Sequence, residues 1–581
     1  MRHPRNLLAA SLAVVLALST AACNSAADDQ PDIQPGGTLR IAAPSLPANL
    51  DPQRIAAALE ANISRVISRT LTTFKAESGT ASGELVADLA TDLGRPRDNN
   101  KIWSFKLKDG LKWADGSPIT CQHLKYGAER NFATIAKNNL PYARTYLADN
   151  PTPYKGPGVN GNQEGLASVV CLDPKTIEYH LKFPVGDFNY AVALAVFAPV
   201  KQGAAIDDTQ YNLEPLASGP YKVKPGRTAK DTEMTLVRNE HWSSATDKVR
   251  KAYPDQIIIS AANTNVPSLT NSIIEDEGDA KDTIMLMDVS ANFVQQVMTD
   301  PKLQARTASG PSGLVRYLSI NTKKITNEKC RQALLWAFNK RKFRQAMGGS
   351  LIGDMATTML SPTLKAHQKF DHYGVFTNGG EGNPQEALKL IAQAKEQGVT
   401  CPTRLVLAHP DQPTTTNRFV KTVVDAYIEI GVQVQLQPLP VGPYFDTIKA
   451  YEAHAKYDLL WAGWIPDWSN GSAVIPPLFG SDAVAKEPGV IGGSNTSFLE
   501  DPEIDKAIQD ANLETSIERQ WKLWGEIDSK LQQKAVSIPI IYGKAIRLHG
   551  SNVGGAYIHS ALGMPDIASL GLLKPGGAAQ P

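Results

Sequence analysis

Three kinds of side chain in this 581-residue sequence could carry chemistry: five cysteines, ten histidines and one carboxylate set among tryptophans. Asp467 follows a predicted buried strand and is flanked by Trp464 and Trp468. In so apolar a setting a carboxylate wants a cationic partner, because a charge-assisted bond offsets its desolvation. The plainer role for an Asp at a strand end is a loop carboxylate or helix N-cap. Cys121, Cys171, Cys330 and Cys401 form no C-x-x-C pair, which argues against zinc and thiol-redox chemistry. The histidines are scattered without an H-E-x-x-H, and His367 and His372 lie in a polar stretch, so no metal site is expected. No G-x-S-x-G elbow occurs. Gly310-Pro-Ser-Gly313 lacks the strand–turn–helix context a nucleophile needs. These residues argue against hydrolase, metal and thiol-redox chemistry, and no cofactor is expected.

The composition narrows the ligand class only by exclusion. Lys and Arg number 59 against 58 Asp and Glu, a formal net charge of +1. Removing residues 1–22, which carry Arg2 and Arg5, makes it −1, a balance unsuited to a nucleic-acid binder. At 42% hydrophobic, with 44 Gly and 39 Pro, the chain reads as globular, with length for roughly three to four domains.

The first residues read as an address. Arg2 and Arg5, the apolar run Leu7 to Leu18 and Ser19-Thr-Ala-Ala22 make a secretory signal over 1–22, too short to span a bilayer. Cys23 after two alanines resembles a bacterial lipobox, although Thr20 stands where leucine is preferred. The resemblance implies a lipidated, palmitate-bearing Cys23 holding the chain to the cell membrane, the alternative being an ordinary signal peptide. Residues 23–35 read as a tether. In such an oxidising compartment the remaining four cysteines can pair in three ways. Spacing favours Cys121–Cys171 and Cys330–Cys401, each within one structural segment, with four buried thiols as the alternative.

Strand-like and helix-like stretches alternate behind these residues. Thr38 to Ala42, Ile102 to Leu107, Thr176 to Leu181, Tyr221 to Val223, Met234 to Arg238, Ile257 to Ser260, Arg316 to Asn321, Leu405 to Ala408, Val432 to Leu436, Tyr457 to Trp461 and Val536 to Tyr542 read as strands. Helices are expected over Ile55 to Leu71, from a Thr120 cap to about Phe132, and over Arg331 to Met347, Glu386 to Gln397, Asn417 to Ile430, Ile504 to Ala511 and Ile517 to Gln533. Pro151 to Gly165 reads as a surface loop. The βαβ alternation predicts α/β lobes, one of them built on a mostly parallel sheet.

Several stretches, in order, resemble the solute-binding proteins of peptide ABC importers, the oligopeptide- and dipeptide-binding family 5. They are Gly36-Gly-Thr-Leu-Arg40, Asn62-Ile-Ser-Arg65, Trp103 to Thr120 (WSFKLKDGLKWADGSPIT), Ser218-Gly-Pro-Tyr221 with Leu236 to Trp242, Cys330 to Lys340 (CRQALLWAFNK), and Tyr457 to Asp467 (YDLLWAGWIPD). The resemblance spans about residues 36 to 570. It implies a periplasmic-binding-protein-like type II α/β fold: two lobes with a hinge and an inserted third subdomain. Lobe I would comprise 36–82, 205–310 and 495–575, the inserted subdomain 83–204 and lobe II 311–494, with the hinge near Pro311 and Ser494.

The resemblance also assigns roles. Asp467 would hold a peptide α-ammonium. Ser218 and Gly219 from lobe I, with Trp461, Gly463 and Trp464 from lobe II, would meet the peptide backbone by strand addition. Glu60, Asn62, Tyr317 and Asn495 fall at matched places near the cleft. Some relatives carry arginine at the place of Trp461, where it helps neutralise acidic groups. Tryptophan leaves the partner of a ligand carboxylate unassigned and could instead stack on a cationic group, such as an arginine of the ligand. The implied partners are a peptide ligand and ABC permease subunits, with the protein a monomer. Other solutes on the same fold (sugars, opines, chelated metal) and a peptide-sensing role are the alternatives.

Overall fold

The structure, a computed structural model, describes residues 32–136, 139–148, 153–158, 165–203, 208–411 and 413–574, with the side chains of 208, 413–417 and 419 excepted. The signal segment 1–22, Cys23, the tether up to residue 31 and much of the loop 151–165 lie outside the described residues.

Alternating burial folds the first strands into a five-stranded sheet ordered Thr283–Met285, Thr38–Ala42, Gln256–Ser260, Glu233–Arg238, Tyr221–Val223. Its first three strands run parallel and the rest antiparallel. Leu39, Ile41, Ile257, Ile259 and Leu236 point to one core, which the helix Ala58–Ile67 closes with Ile63, Val66 and Ile67. Residues 549–574 return to this core through Val553, Ile567, Leu570 and Leu572.

The second lobe is a six-stranded sheet ordered Gly353–Met355, Ser537–Leu548, Thr307–Ile320, Leu459–Trp464, Arg404–Pro410, Gln433–Leu439. It is mixed rather than mostly parallel: Arg404–Pro410 pairs parallel with both its neighbours, while the other pairings are antiparallel. One face packs the helices Glu328–Ala337, Lys340–Met347, Pro384–Glu396 and Pro413–Ile428. The other packs Pro502–Leu513 and Ile517–Gln533. The segment 495–548 therefore belongs largely to this lobe, against the expectation that 495–575 returns to lobe I. Its helices bury Ile504, Trp524 and Leu531 against Val315, Tyr317 and Ala462 of the sheet.

A third unit, the four-stranded antiparallel sheet Arg95–Arg97, Ile102–Lys106, Thr176–His180, Val169–Asp173, carries the aromatic core Trp103, Phe105, Trp113, Tyr179, Phe188 and Phe197. The helix Cys121–Arg130 starts after Thr120, as its cap position predicts. Both expected disulfides are formed, Cys121–Cys171 with Cα atoms 5.8 Å apart and Cys330–Cys401 at 5.4 Å.

The helix predicted over 331–347 is two helices. Asn339 accepts from the Lys342 amide and caps the second, and Phe338 is extended at the break. The lobes are joined by two long antiparallel strands, Thr307–Ile320 and Ser537–Leu548. Their outer halves meet lobe I, where Ile546 and Leu548 pack on Leu269 and Met285, and their inner halves form the centre of the six-stranded sheet. The register breaks between Pro311 and Val315, where Gly313 takes φ +75° and the Ser312 hydroxyl donates to the Gly543 carbonyl at 3.0 Å. One break in the register of the crossing strands thus falls between Pro311 and Val315. The second strand crosses near Gly543 rather than at Ser494, whose neighbours are bonded inside lobe II, Gly492 to Lys449 and Thr496 to Ser319.

Candidate ligand-binding cleft

The strand Leu459–Trp464 ends at the lobe boundary, and Ile465, Pro466 and Asp467 pass from it to a cavity of about 260 Å³. Lobe I supplies the extended run Ala56–Ala57, Ser64, Arg65 and Thr73, and the inserted subdomain supplies Leu194. Asp467 borders this space yet is enclosed by protein, so its side chain is half-buried at the surface of an interior void. Burial pushes its carboxyl up to about 6, and a hydrogen bond donated by the Tyr142 hydroxyl to Oδ2 works the other way. Among the described residues it has no cationic partner.

The guanidinium groups on the opposite wall are already engaged. Arg65 pairs with Asp566 at 3.1 Å and donates to Thr73 Oγ1 at 2.6 Å. Arg250 pairs with Asp88 at 2.8 Å and Asp247 at 3.1 Å. The cavity therefore presents one negative group without a cation, in a chamber whose two guanidinium groups are already paired and whose remaining lining is apolar side chains and hydroxyls, a seat suited to an ammonium.

The segment after Asp467 fixes its position. Trp468, 1% exposed, drives into the core of the inserted subdomain, edge-on to Tyr142 at 4.7 Å between ring centres. Its indole donates to Asp187 Oδ2 at 3.1 Å, and Asn470 donates to the same oxygen at 2.8 Å, joined by the Ser472 hydroxyl. Burial raises the Asp187 carboxyl, which has no cation beside it, against these three donors. Beyond this plug lies a second cavity of about 710 Å³ between the inserted subdomain and lobe II, lined by Trp103, Tyr190, Thr363, Lys365, Ser469 and Trp521. Lys365 stands over the Trp521 ring at 4.9 Å and 3.9 Å from Glu84 across the gap.

Of the residues singled out from sequence, only Asp467 lines either cavity. Ser218 accepts the Arg69 amide at 2.8 Å, and Gly219 donates to Ile67 at 2.7 Å. The close approach that Gly219 permits is to the end of lobe I's own helix, where a Cβ would stand 2.5 Å from Val66 O. Glu60 is spent on capping, accepting from the amides of Asn49, Ala56 and Ala57. Asn62 clamps Pro565 O and Ile567 N. Asn495 clamps Gly480 O and Leu499 O, and Tyr317 is buried within lobe II. Trp464 donates to Ala473 O at 2.8 Å, and Gly463 pairs with Arg316 in the sheet. Trp461, 7% exposed, packs on Phe343 and lies under the guanidinium of the chain's own Arg316, so it offers no open face to an arginine of a ligand. Sequence reasoning missed Tyr142 and Asp187. They stand 325 and 281 residues from their partners Asp467 and Trp468, and no local pattern marks them.

Comparison with known proteins decides the family. The sequence model of the bacterial extracellular solute-binding proteins, family 5 (Middle), matches residues 84–486, more than half of the chain. The chain is a family 5 bacterial extracellular solute-binding protein. Its relatives include the periplasmic oligopeptide-binding protein OppA of Salmonella typhimurium, 23% identical over 522 residues and covering 87% of both chains. The periplasmic murein peptide-binding protein MppA of Escherichia coli is 22% identical and covers 85% of both. Among solved structures, clavulanic acid biosynthesis oligopeptide binding protein 2 superposes with a TM-score of 0.85 at 27% identity, covering 94% of this chain and 97% of its own. The DppA protein of Helicobacter pylori in complex with the peptide STSA superposes at 0.68 and 18% identity, covering 93% of this chain and 99% of its own. The solute-binding protein thus has the type II periplasmic-binding fold and is a binder, not an enzyme. No described helix is long and apolar enough to cross a membrane, and no described group of His, Cys, Asp or Glu could hold a metal ion.

Proposed function

We propose that this solute-binding protein captures oligopeptides between its lobes and delivers them to the permease of an ABC importer, held at the membrane by a lipid on Cys23. The observation that carries the reading is Asp467: a carboxylate at an inter-lobe cavity, steadied by the Tyr142 phenol and lacking a cation. A peptide α-ammonium supplies the missing charge, and the small residues Ala56 to Ala58 and Ala61 leave room for varied side chains. The names of relatives that bind oligopeptides and murein peptides support the ligand class. Closure has a physical lever in the two crossing strands, with lobe-bridging bonds at Tyr142–Asp467 and Asp187–Asn470 to hold the closed state. A preference for arginine-containing peptides loses its basis, since Trp461 is covered by Arg316. Mass spectrometry of ligand released on denaturing the purified protein tests the proposal. Recovered peptides, rebinding in calorimetry, are the expected result. A sugar or opine recovered instead, with no peptide binding, overturns it.

A further inference from the structure

Two serines stand unanswered on the wall of the Asp467 cavity. Ala57, Ala61, Ser64 and Ser68 follow one another at spacings of four, three and four along the helix Ala58–Ile67 and its two cap residues, so they share one face, and that face lines the cavity. Ser64 is 2% exposed and Ser68 8%, yet neither hydroxyl makes a hydrogen bond among the described residues. The other polar side chains that lobe I gives to the lining are answered. Thr70 donates to Thr72 O at 2.7 Å, Thr73 accepts from Arg65, and Arg65 and Arg250 are paired with Asp566, Asp88 and Asp247. A hydroxyl that gives up water and gains no bond costs the fold stability. The helix itself does not ask for serine at position 64, since alanine, present at 57 and 61 on the same face, is the better helix former.

The chamber of about 260 Å³ is smaller than the roughly 300–1,000 Å³ of ordinary ligand pockets, so a residue whose ammonium meets Asp467 shares its side chain's space with Ser64 and Ser68. The character of that side chain follows from what the wall leaves over. The ammonium takes up Asp467 and both guanidinium groups are paired, so a further charge of either sign would be buried without a counter-charge. An apolar side chain would displace water from the two hydroxyls and give them nothing in return. A neutral side chain that donates and accepts hydrogen bonds meets neither objection. We infer that Ser64 and Ser68 form a specificity pocket that selects peptides whose first residue carries a hydroxyl or carboxamide side chain. This rests on the peptide reading above and adds to it the nature of the first side chain.

Calorimetry with two pairs of near-isosteric tripeptides tests it: threonine against valine and asparagine against leucine at the first position, each followed by two alanines. The members of a pair differ in hydrogen bonding far more than in shape, and a site built to bond a polar group rejects the analogue that lacks it. The wild type is expected to bind the threonine peptide at least tenfold more tightly than the valine peptide, or the asparagine peptide at least tenfold more tightly than the leucine one. The double variant Ser64→Ala with Ser68→Ala is expected to erase that preference while binding the valine and leucine peptides as tightly as the wild type or more so. That retained affinity also reports an intact cleft, which a merely structural role for the serines would not predict. Ser68→Ala alone, at the helix end, is expected to lose part of the preference and serves if the double variant does not fold. Equal binding within both pairs by the wild type, or a preference that survives undiminished in the variants, overturns the role of the serines and leaves the peptide reading standing. Absence of binding to all four peptides overturns the peptide reading and this inference with it.

Discussion

On the lobe I wall of the cleft, Arg69, Arg250, Asp88 and Asp247 bury two guanidinium and two carboxylate groups against one another, each 3% exposed or less. Across the cavity, Asp467 stands with a phenol as its hydrogen-bond donor and no cation. Burial alone would raise Asp247, but Arg250 and Arg69 hold it well below the usual carboxylate range, whereas burial carries Asp467 up to about 6. The two carboxylates differ because one lies in a cluster closed by its own cations and the other borders a cavity with none. The closed cluster tells of stability, the open one of function.

That contrast can be broken most forcefully on the closed side. Arg250→Met leaves Asp88 and Asp247 short of a cation, and denaturant unfolding is expected to show a loss of about 3–5 kcal/mol. A loss under 1 kcal/mol would mean that the network does not hold lobe I.

A pH series sharpens the open side. Asp467 has a folded value near 6 against an ordinary 3.8, so the stability it contributes is present below about pH 4 and lost as pH rises through about 6. Affinity for an ammonium ligand runs the opposite way, because only the ionised carboxylate pairs with it. Binding is expected to be level from about pH 6 to about 8, where the ligand's own amine begins to lose its proton, and to weaken by up to about tenfold per unit below pH 6. Asp187, also raised by burial, titrates in the same sense, so the stability series is read as wild type minus Asp467→Asn.

The smallest effect belongs to the rim. Lys365 and Glu84 lie 3.9 Å apart with side chains 48% and 39% exposed, and Lys365→Ala is expected to change stability by less than about 1 kcal/mol.

How much of this was legible in the sequence follows the same line between local and distant causes. Strands such as Ile102–Lys106 and the Thr120-capped helix were readable because alternation and capping act over a few residues. The split at Asn339 was hidden by an apolar periodicity that runs through it. The strand Ser537–Leu548 was read as half its length and its surroundings placed in the wrong lobe, because membership of a sheet is decided by partners hundreds of residues away. Asp467 was visible from its place in the family motif Tyr457 to Asp467, with Trp464 and Trp468 beside it as local support. Tyr142 and Asp187, which complete the electrostatics around Asp467 and Trp468, become visible only when the strands and lobes are brought together.

The central claim is that Asp467 waits for a ligand ammonium, and one paired measurement reaches it directly: the affinity of wild type and Asp467→Asn for a tripeptide with a free amine and for its N-acetylated form. The expected result is that the substitution weakens the free-amine peptide by 2–5 kcal/mol, leaves the acetylated peptide nearly unchanged, and does not lower the thermal stability of the ligand-free protein. Equal loss for both peptides, or no loss for either, would contradict the account.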